Sequence, residues 1–323
     1  MPDIESPAPA EPAAAVVRLV LASESRIAGS VMEELFAVRA RFLAAQDSKD
    51  VHAAVLHSSG WFVIWIEGPE QGVEAVMRRS MRDPRHAQQR IIHRSRGRRN
   101  LTDRLTLATT HGADRPVDFA LRIRAVELAA PQLSATEIWE RLSAPWTLGA
   151  ADASVEGAFG AIALMGSDEN SSIEVLRRLA DRFSSRVVYQ RFASDKPNSR
   201  DVGAAYVDIA MMGGLSTRVL ALSRKALAYR MVRESLARVQ SVVLMLGSRP
   251  APAVEMASSV VVLANAGMPL RSVQLVADDS VAVASVCEYL RTGLRQPVPV
   301  EAVSMPQPFL VDFIAEVASR HQA

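Results

Sequence analysis

The chain has 323 residues, 49% of them hydrophobic and 22% charged, with a formal net charge of +2. That length predicts two domains, and that balance of apolar to charged residues excludes a disordered chain. The small positive excess is shared by both halves, which excludes the basic field of a general nucleic-acid binder.

Residues 1–15 are rich in Pro, Ala and Glu and carry neither the basic nor the apolar region of a signal peptide, so they read as a disordered tail. Val16–Ala22 is a short apolar run of the kind buried on both faces of a sheet. Val31, Leu35, Val38 and Phe42 then fall on one stripe of an amphipathic helix. Val51–His57 and Trp61–Ile66, joined by Ser58-Ser59-Gly60, predict a hairpin. Pro69 opens a second helix reaching about Arg82, and strands follow at Arg90–Ser95 and Leu105–Thr109. The order β-α-β-β-α-β predicts an α+β ferredoxin-like domain. Two added helices are predicted at Val117–Ala130 and Ser134–Ala144, the second opened by the capping pair Ser134 and Glu137. The first domain is placed at 16–148 and a linker near Gly149–Gly157.

The second half, 158–323, alternates strands and helices. Strands are predicted at Ala161–Met165, Arg186–Arg191, Ala205–Met211, Val219–Ser223, Val242–Leu246, Val273–Val276 and Val300–Ser304. Helices are predicted at Ser171–Phe183, Lys225–Val239, Pro252–Ala264, Val281–Leu290 and Phe309–Ser319. This alternation predicts an α/β domain with a mostly parallel, three-layer sheet. No apolar run reaches the roughly 20 residues of a membrane-spanning helix. The single cysteine, Cys287, excludes an internal disulfide and a cysteine-based metal cluster. A cytoplasmic protein is the expectation.

Two motifs in the first half carry a family resemblance. Trp61-Phe62-Val63-Ile64-Trp65-Ile66-Glu67-Gly68-Pro69, followed by Arg82-Asp83-Pro84-Arg85-His86, resembles the BLUF family of flavin-binding blue-light sensors. There, a strand ending in Leu-Glu-Gly leads into a helix that ends in an Asp-x-Arg-His turn. Arg18–Ser23 and Arg99-Asn100-Leu101 are similar to the family's outer segments. The resemblance spans Val16 to about Thr110. It implies a ferredoxin-like fold and an FAD held by a tyrosine on the first strand, asparagines after the first helix and a glutamine on the third strand. Those positions fall here on Leu21, on Ala45 and Gln46, and on Ile64. The family's later Trp-x-Met pair falls on Arg104 and Thr106. Leu21 and Ile64 carry no side-chain donor or acceptor, so the expectation is a family fold without its flavin.

In the second half, Gly166-Ser167-Asp168-Glu169-Asn170-Ser171-Ser172-Ile173 lies between a strand and a helix, where a P-loop carries G-x-x-x-x-G-K-[ST]. Gly166 is kept, Ser171 replaces the second glycine, Ser172 the lysine and Ile173 the metal-binding hydroxyl. The strand and helix order resembles a Ras-like small GTPase. The Asp-x-x-Gly position reads Ser223-Arg224-Lys225-Ala226, and the guanine-reading segment falls near Val276-Ala277-Asp278-Asp279. Without the lysine and the hydroxyl, triphosphate and magnesium lose their partners, so no nucleotide is expected.

Arg90, Arg94, Arg96, Arg98, Arg99 and Arg104, with His93, form the densest cationic stretch. Alternation along a strand puts Arg90, Arg94 and Arg96 on one face. A strip of this kind suits an acidic protein surface, a nucleic acid or a cyclic dinucleotide, and the plain reading is a solvated strand face. The six histidines, His52, His57, His86, His93, His111 and His321, show no metal-ligand spacing. His86 is assigned as a cation complementing a helix C-terminus. Trp61, Trp65, Trp139 and Trp146 are candidate interface anchors. No catalytic constellation is present in the spacing. The function expected is a non-catalytic bacterial signalling, regulatory or scaffold protein working through a protein partner or a homodimer, with no metal, flavin or nucleotide. The alternatives are a BLUF photoreceptor that binds FAD in an altered pocket, and a nucleotide-dependent switch.

Overall fold

The structure is a computed structural model that describes residues 15–111, 115–143, 159–166, 171–195, 202–210, 216–228, 232, 236, 239–247, 249–277, 280–305 and 309–320. It divides into two compact units, 1–107 with 116–143, and 108–115 with 144–323. Residues 1–14 of the predicted tail, the linker at Gly149–Gly157, Trp146 and His321 lie outside the described residues.

In the first unit the chain forms β1 (Val16–Ser25), α1 (Val31–Ala44), a 3-10 turn (Gln46–Ser48), β2 (His52–Ser58) and β3 (Trp61–Gly68). It continues through α2 (Glu70–Arg82), β4 (His86–Gly97), the first three residues of β5 (Leu105–His111), α3 (Pro116–Ala129) and α4 (Ala135–Ser143). Strands β4-β1-β3-β2 lie side by side in that order, every neighbouring pair antiparallel. This is the predicted ferredoxin-like order. The β2–β3 hairpin closes through Ser59 and Gly60, both at positive φ (51° and 77°), the backbone of a primed two-residue turn that glycine enters at no steric cost.

Helix starts follow local chemistry. Ser30 caps α1 by accepting from the Glu33 N–H at 3.4 Å. Ser134 and Glu137 form the predicted reciprocal box, with the Ser134 N–H donating to Glu137 at 2.8 Å and the Glu137 N–H to Ser134 Oγ at 3.2 Å. In α1 the buried residues are Met32, Leu35 and Phe42, so Met32 joins the predicted stripe while Val31 and Val38 sit at its half-exposed margins.

Strand β4 departs from the sequence reading. Its pairing with β1 shifts between Val20↔His93 and Leu21↔Ile91, leaving Ile92 as an extra residue. A one-residue bulge inverts every side chain beyond it. Arg90 therefore reaches Glu127 on α3 at 3.2 Å. Arg94 and Arg96 turn to the other face, against α2, where Arg94 meets Glu70 at 3.0 Å and Arg96 pairs with the same carboxylate. The expectation that Arg90, Arg94 and Arg96 share a face is corrected by that single inserted residue.

The second unit comprises β6 (Phe159–Gly166), α5 (Ser171–Arg182), β7 (Val188–Ser194), β8 (Val202–Ala210) and β9 (Ser216–Leu222). There follow a 3-10 stretch (Arg224–Ala228), β10 (Val239–Leu246), α6 (Pro250–Asn265), β11 (Ser272–Ala277), α7 (Ser280–Gly293), β12 (Val300–Val303) and α8 (Leu310–Arg320). Its strands run β12-β11-β10-β6-β9-β8-β7. The first five are mutually parallel, and β8 is antiparallel to both neighbours. Of the helix predicted at Lys225–Val239, the described residues show a 3-10 stretch at Arg224–Ala228 and a helical Val232, and Val239 opens a strand; residues 229–231, 233–235, 237 and 238 lie outside the described residues. Ile162, Leu164, Val243 and Met245 form a core with Leu176 and Leu179 of α5 and Ile314 and Val317 of α8.

Candidate functional site

In the first unit, β1 and β3 pair in register from Val17↔Gly68 to Glu24↔Trp61, so opposed residues share a face. One face carries Leu19, Leu21, Phe62, Ile64 and Ile66 and is the side on which α2 meets Arg94. The other carries Arg18, Val20, Trp65 and Glu67 and is covered by α4, where Trp65 and Trp139 approach with ring centroids 5.9 Å apart.

The structure brings two of the sequence-derived flavin positions together: Leu21 and Ile64 are direct cross-strand partners, 1% and 8% exposed. Ala45 ends α1, its carbonyl taken by Ser48 Oγ at 2.9 Å, and Gln46 is exposed at the start of the 3-10 turn. Of the later pair, Thr106 is buried in β5, and the Arg104 guanidinium lies 5.9 Å over the Phe42 ring.

At the opposite end of the same face, the turn after α2 builds a polar cluster. Arg85 Nε donates to Asp83 at 2.8 Å and its Nη1 to Glu34 at 2.7 Å. The Arg85 guanidinium holds the Asp83 carboxyl down to about 2, and the two acids raise the Arg85 value further. His86 Nδ1 lies 2.7 Å from Ser23 Oγ, and its ring is 4.6 Å from Phe62. Burial pushes His86 below the ordinary histidine range, outweighing the pull of Asp83. The imidazole is thus held neutral, and the cation at this helix end is Arg85, which corrects the assignment of His86.

The cationic stretch is largely paired. Besides the ion pairs of Arg90, Arg94 and Arg96 on β4, Arg99 donates to the Asp50 carbonyl at 2.9 Å and Arg104 to the Leu43 carbonyl at 3.5 Å. The tryptophans also correct their assignment: Trp61, Trp65 and Trp139 are buried, and Trp61 Nε1 donates to the Pro116 carbonyl at 3.2 Å. The exposed large apolar residues of this unit lie elsewhere, at Met81 on α2, Ile91 on β4 and Val117, Leu121 and Leu128 on α3.

In the second unit, Gly166 ends β6 beside Met245 and Ser171 opens α5, while residues 167–170 of the loop, with Asp168, Glu169 and Asn170, lie outside the described residues. Ser172 is buried, and Ile173 packs against the core. Val276 is a core residue, whereas Asp278 and Asp279 are not described. Among the described residues no group of three or more His, Cys, Asp or Glu is placed to hold a metal, and no helix is long and apolar enough to cross a membrane.

The family described as "Sensors of blue-light using FAD" matches residues 16–103. Those residues form a BLUF domain. No curated protein matches the chain. Among solved structures, "BlrB - a BLUF protein, dark state structure" is 19% identical, covering 39% of this chain and 93% of that one at a TM-score of 0.30. A bacterial light-regulated adenylyl cyclase is 9% identical over 69% of this chain and 84% of its own, at 0.27. Klebsiella pneumoniae BlrP1, in a manganese and cyclic-diGMP complex, is 12% identical over 86% and 74%, at 0.27. Likenesses this faint carry no activity across.

Within the BLUF domain the residues at the flavin-reading positions do not fit an isoalloxazine ring. Its carbonyls and ring nitrogens need hydrogen-bonding partners, and Leu21, Ala45 and Ile64 offer no side-chain polar atom. Gln46, the remaining polar side chain of the set, is exposed. Sequence reasoning named Leu21 and Ile64 without their pairing across β1 and β3. It missed the β4 bulge, which leaves no compositional trace, and the role of Glu67. That carboxyl is fully buried and accepts the N–H groups of Asn100 and Leu101 at 2.7 and 2.8 Å. A lone acid in an otherwise apolar strand was the available signal.

Proposed function

We propose that the chain is a non-catalytic signalling or scaffold protein whose BLUF domain has lost its flavin and acts through protein contacts. The observation that carries this reading is the direct pairing of Leu21 with Ile64, both buried, where the family places a tyrosine and a glutamine. A buried flavin polar group left without a partner costs about 1–3 kcal/mol, and this pair would leave several. Val117, Leu121 and Leu128, exposed along α3, supply an apolar stripe suited to a partner or a second copy. Absorption spectroscopy of freshly purified protein tests the flavin claim: a colourless protein is expected, and stoichiometric FAD released on heating would overturn it. The match to a family of FAD-using sensors favours the second reading, a photoreceptor with an altered pocket.

For the second unit the reading is a Ras-like α/β domain without a nucleotide site. It is supported by a sheet of five parallel strands followed by one antiparallel strand. It is supported too by alternation on β10, where Val243 and Met245 join α5 and α8 while the buried Val242 and Leu244 point away, as a three-layer arrangement requires. Ile173, partly buried and packed against the core at the magnesium-ligand position, argues against metal–nucleotide binding. GTP with magnesium is expected to leave the melting temperature unchanged. Binding at 100 times Kd would contribute about 2.7 kcal/mol, easily seen as a shift, and such a shift would restore the nucleotide-switch reading.

A further inference from the structure

Helix α3 turns its charged residues inward and its aliphatic ones outward. Asp118 and Arg122 are buried beside Phe119, Ile123 and Val126. The Arg122 guanidinium lies 4.8 Å over the Phe119 ring and donates to the Leu142 carbonyl of α4 at 3.3 Å. On the opposite side Val117, Leu121 and Leu128 are 68%, 56% and 77% exposed, and Ala125 is exposed among them. A helix that is apolar all round is one that ends up covered. Three large aliphatic side chains in one row also exceed the scattered single exposures of an ordinary surface.

Val117, Leu121, Arg124 and Leu128 are spaced by four, three and four residues, the seam along which one helix receives another. Arg124 is the polar member of that seam; it is exposed and makes no ion pair or hydrogen bond among the described residues. The acids of α3 are engaged or enclosed: Glu127 pairs with Arg90 at 3.2 Å, and Asp118 is buried. A second copy therefore brings this seam no carboxylate. Paired in parallel, two copies would set Arg124 against Arg124. Paired antiparallel, with Val117 against Leu128, they would leave the two Arg124 positions about 4.5 Å apart along the axis. Like charges so placed oppose association.

We propose that the outer seam of α3 docks an amphipathic helix of another protein, apolar at the same spacing and carrying a carboxylate that meets Arg124. The aliphatic residues supply the buried area. The ion pair supplies register, since a charged pair at an interface selects partner and orientation. This rests on the reading that the domain works through protein contacts, and it adds the chemistry of the partner.

The test uses the full chain and fluorescently labelled, stapled helical peptides read by anisotropy. Each carries Leu at three of the four seam positions and Glu at one of the two central ones, so that parallel and antiparallel seating are both covered. Binding of one Glu peptide is expected. The same peptide with Lys in place of Glu should bind about tenfold more weakly or worse, the scale of a hydrogen bond to a charged group. Arg124→Glu is expected to reverse that preference, and Leu121→Asp to abolish binding without lowering the melting temperature, because Leu121 is exposed. No binding of either Glu peptide at millimolar concentration would overturn the proposal, as would equal binding of the Glu and Lys forms, or a preference that Arg124→Glu leaves unchanged. A dimer in sedimentation that Leu121→Asp dissociates would assign the seam to a second copy and overturn it too. Absorption spectroscopy separates this proposal from the loss of flavin: FAD released on heating would sink the latter and leave charge-dependent binding standing. A colourless protein that binds no peptide would sink the docking proposal alone.

Discussion

At the scale of single residues, the turn after α2 concentrates the titratable chemistry of the first unit. Asp83 is depressed in the folded state from 3.8 to about 2, first by its hydrogen bond from Arg85. A depressed carboxyl contributes stability that is fully present above its unfolded value and is lost as pH falls through the folded one. The window for Asp83 therefore lies between about pH 4 and pH 2. Asp83→Asn is expected to cost about 1–2 kcal/mol at neutral pH, after discounting for partial solvent screening of the pair, and to flatten that acid limb. His86 acts in the same direction at higher pH. Its folded value is lowered, first by burial, so the folded state resists protonation and stability falls as pH drops below the unfolded value of 6.5. His86→Gln should reduce the difference in melting temperature between pH 7.5 and pH 5.5, measured at constant ionic strength. Identical differences in wild type and variant would show that the buried imidazole does not contribute.

At the scale of elements, α2 is seated by a close approach that only glycine permits. A Cβ at Gly72 would lie 2.7 Å from Val51 Cγ2 and 3.1 Å from the Asp47 carbonyl oxygen. On helix propensity alone, Gly72→Ala gains up to about 1 kcal/mol. Overpacking against a backbone carbonyl and a β-branched side chain costs about 1–3 kcal/mol, so net destabilisation in chemical denaturation is expected. Val51→Ala removes one of the two obstacles, and the double variant should recover part of the loss; strict additivity of the two changes would refute the clash. How far elements were legible in the sequence follows the range of the forces that make them. The hairpin at Ser58-Ser59-Gly60, the capping box at Ser134 and Glu137, and the order of strands are written in local periodicity and turn chemistry, and they appear where predicted. The bulge at Ile92 depends on how β4 meets β1, and the burial of Trp61, Trp65 and Trp139 depends on helices α3 and α4 arriving from later in the chain. Neither leaves a mark within the segment itself. Leu21 and Ile64 were legible one by one, but their direct pairing is a property of register.

At the scale of the whole molecule, the sequence and the structure draw the division differently. Composition puts one cut near Gly149–Gly157, after an uninterrupted first domain of 16–148. The structure groups residues 108–115 with the second unit and returns to the first for Pro116–Ser143. The elements that hold the first unit together nonetheless lie within 16–143: the paired strands β1 to β4, the α2 contacts, and the α4 contacts made by Trp139 and Thr136. Domain boundaries fall where few contacts cross, and small, polar segments between periodic ones are the preferred sites of cleavage. Limited proteolysis of the full chain is therefore expected to cut first within 150–157 once residues 1–15 are trimmed, leaving a fragment ending near Ala150 that still melts cooperatively. The two arrangements predict different stabilities for that fragment. If β1 to β4 with α1 to α4 suffice, its melting temperature should match the first transition of the intact chain. If residues 108–115 are held mainly by the second unit, cleavage should lower it by several degrees, since 1 kcal/mol moves the midpoint of a domain this size by about 4 °C. Fragments with ends inside β1–β4 or β6–β11 would refute both divisions and make the chain a single cooperative unit.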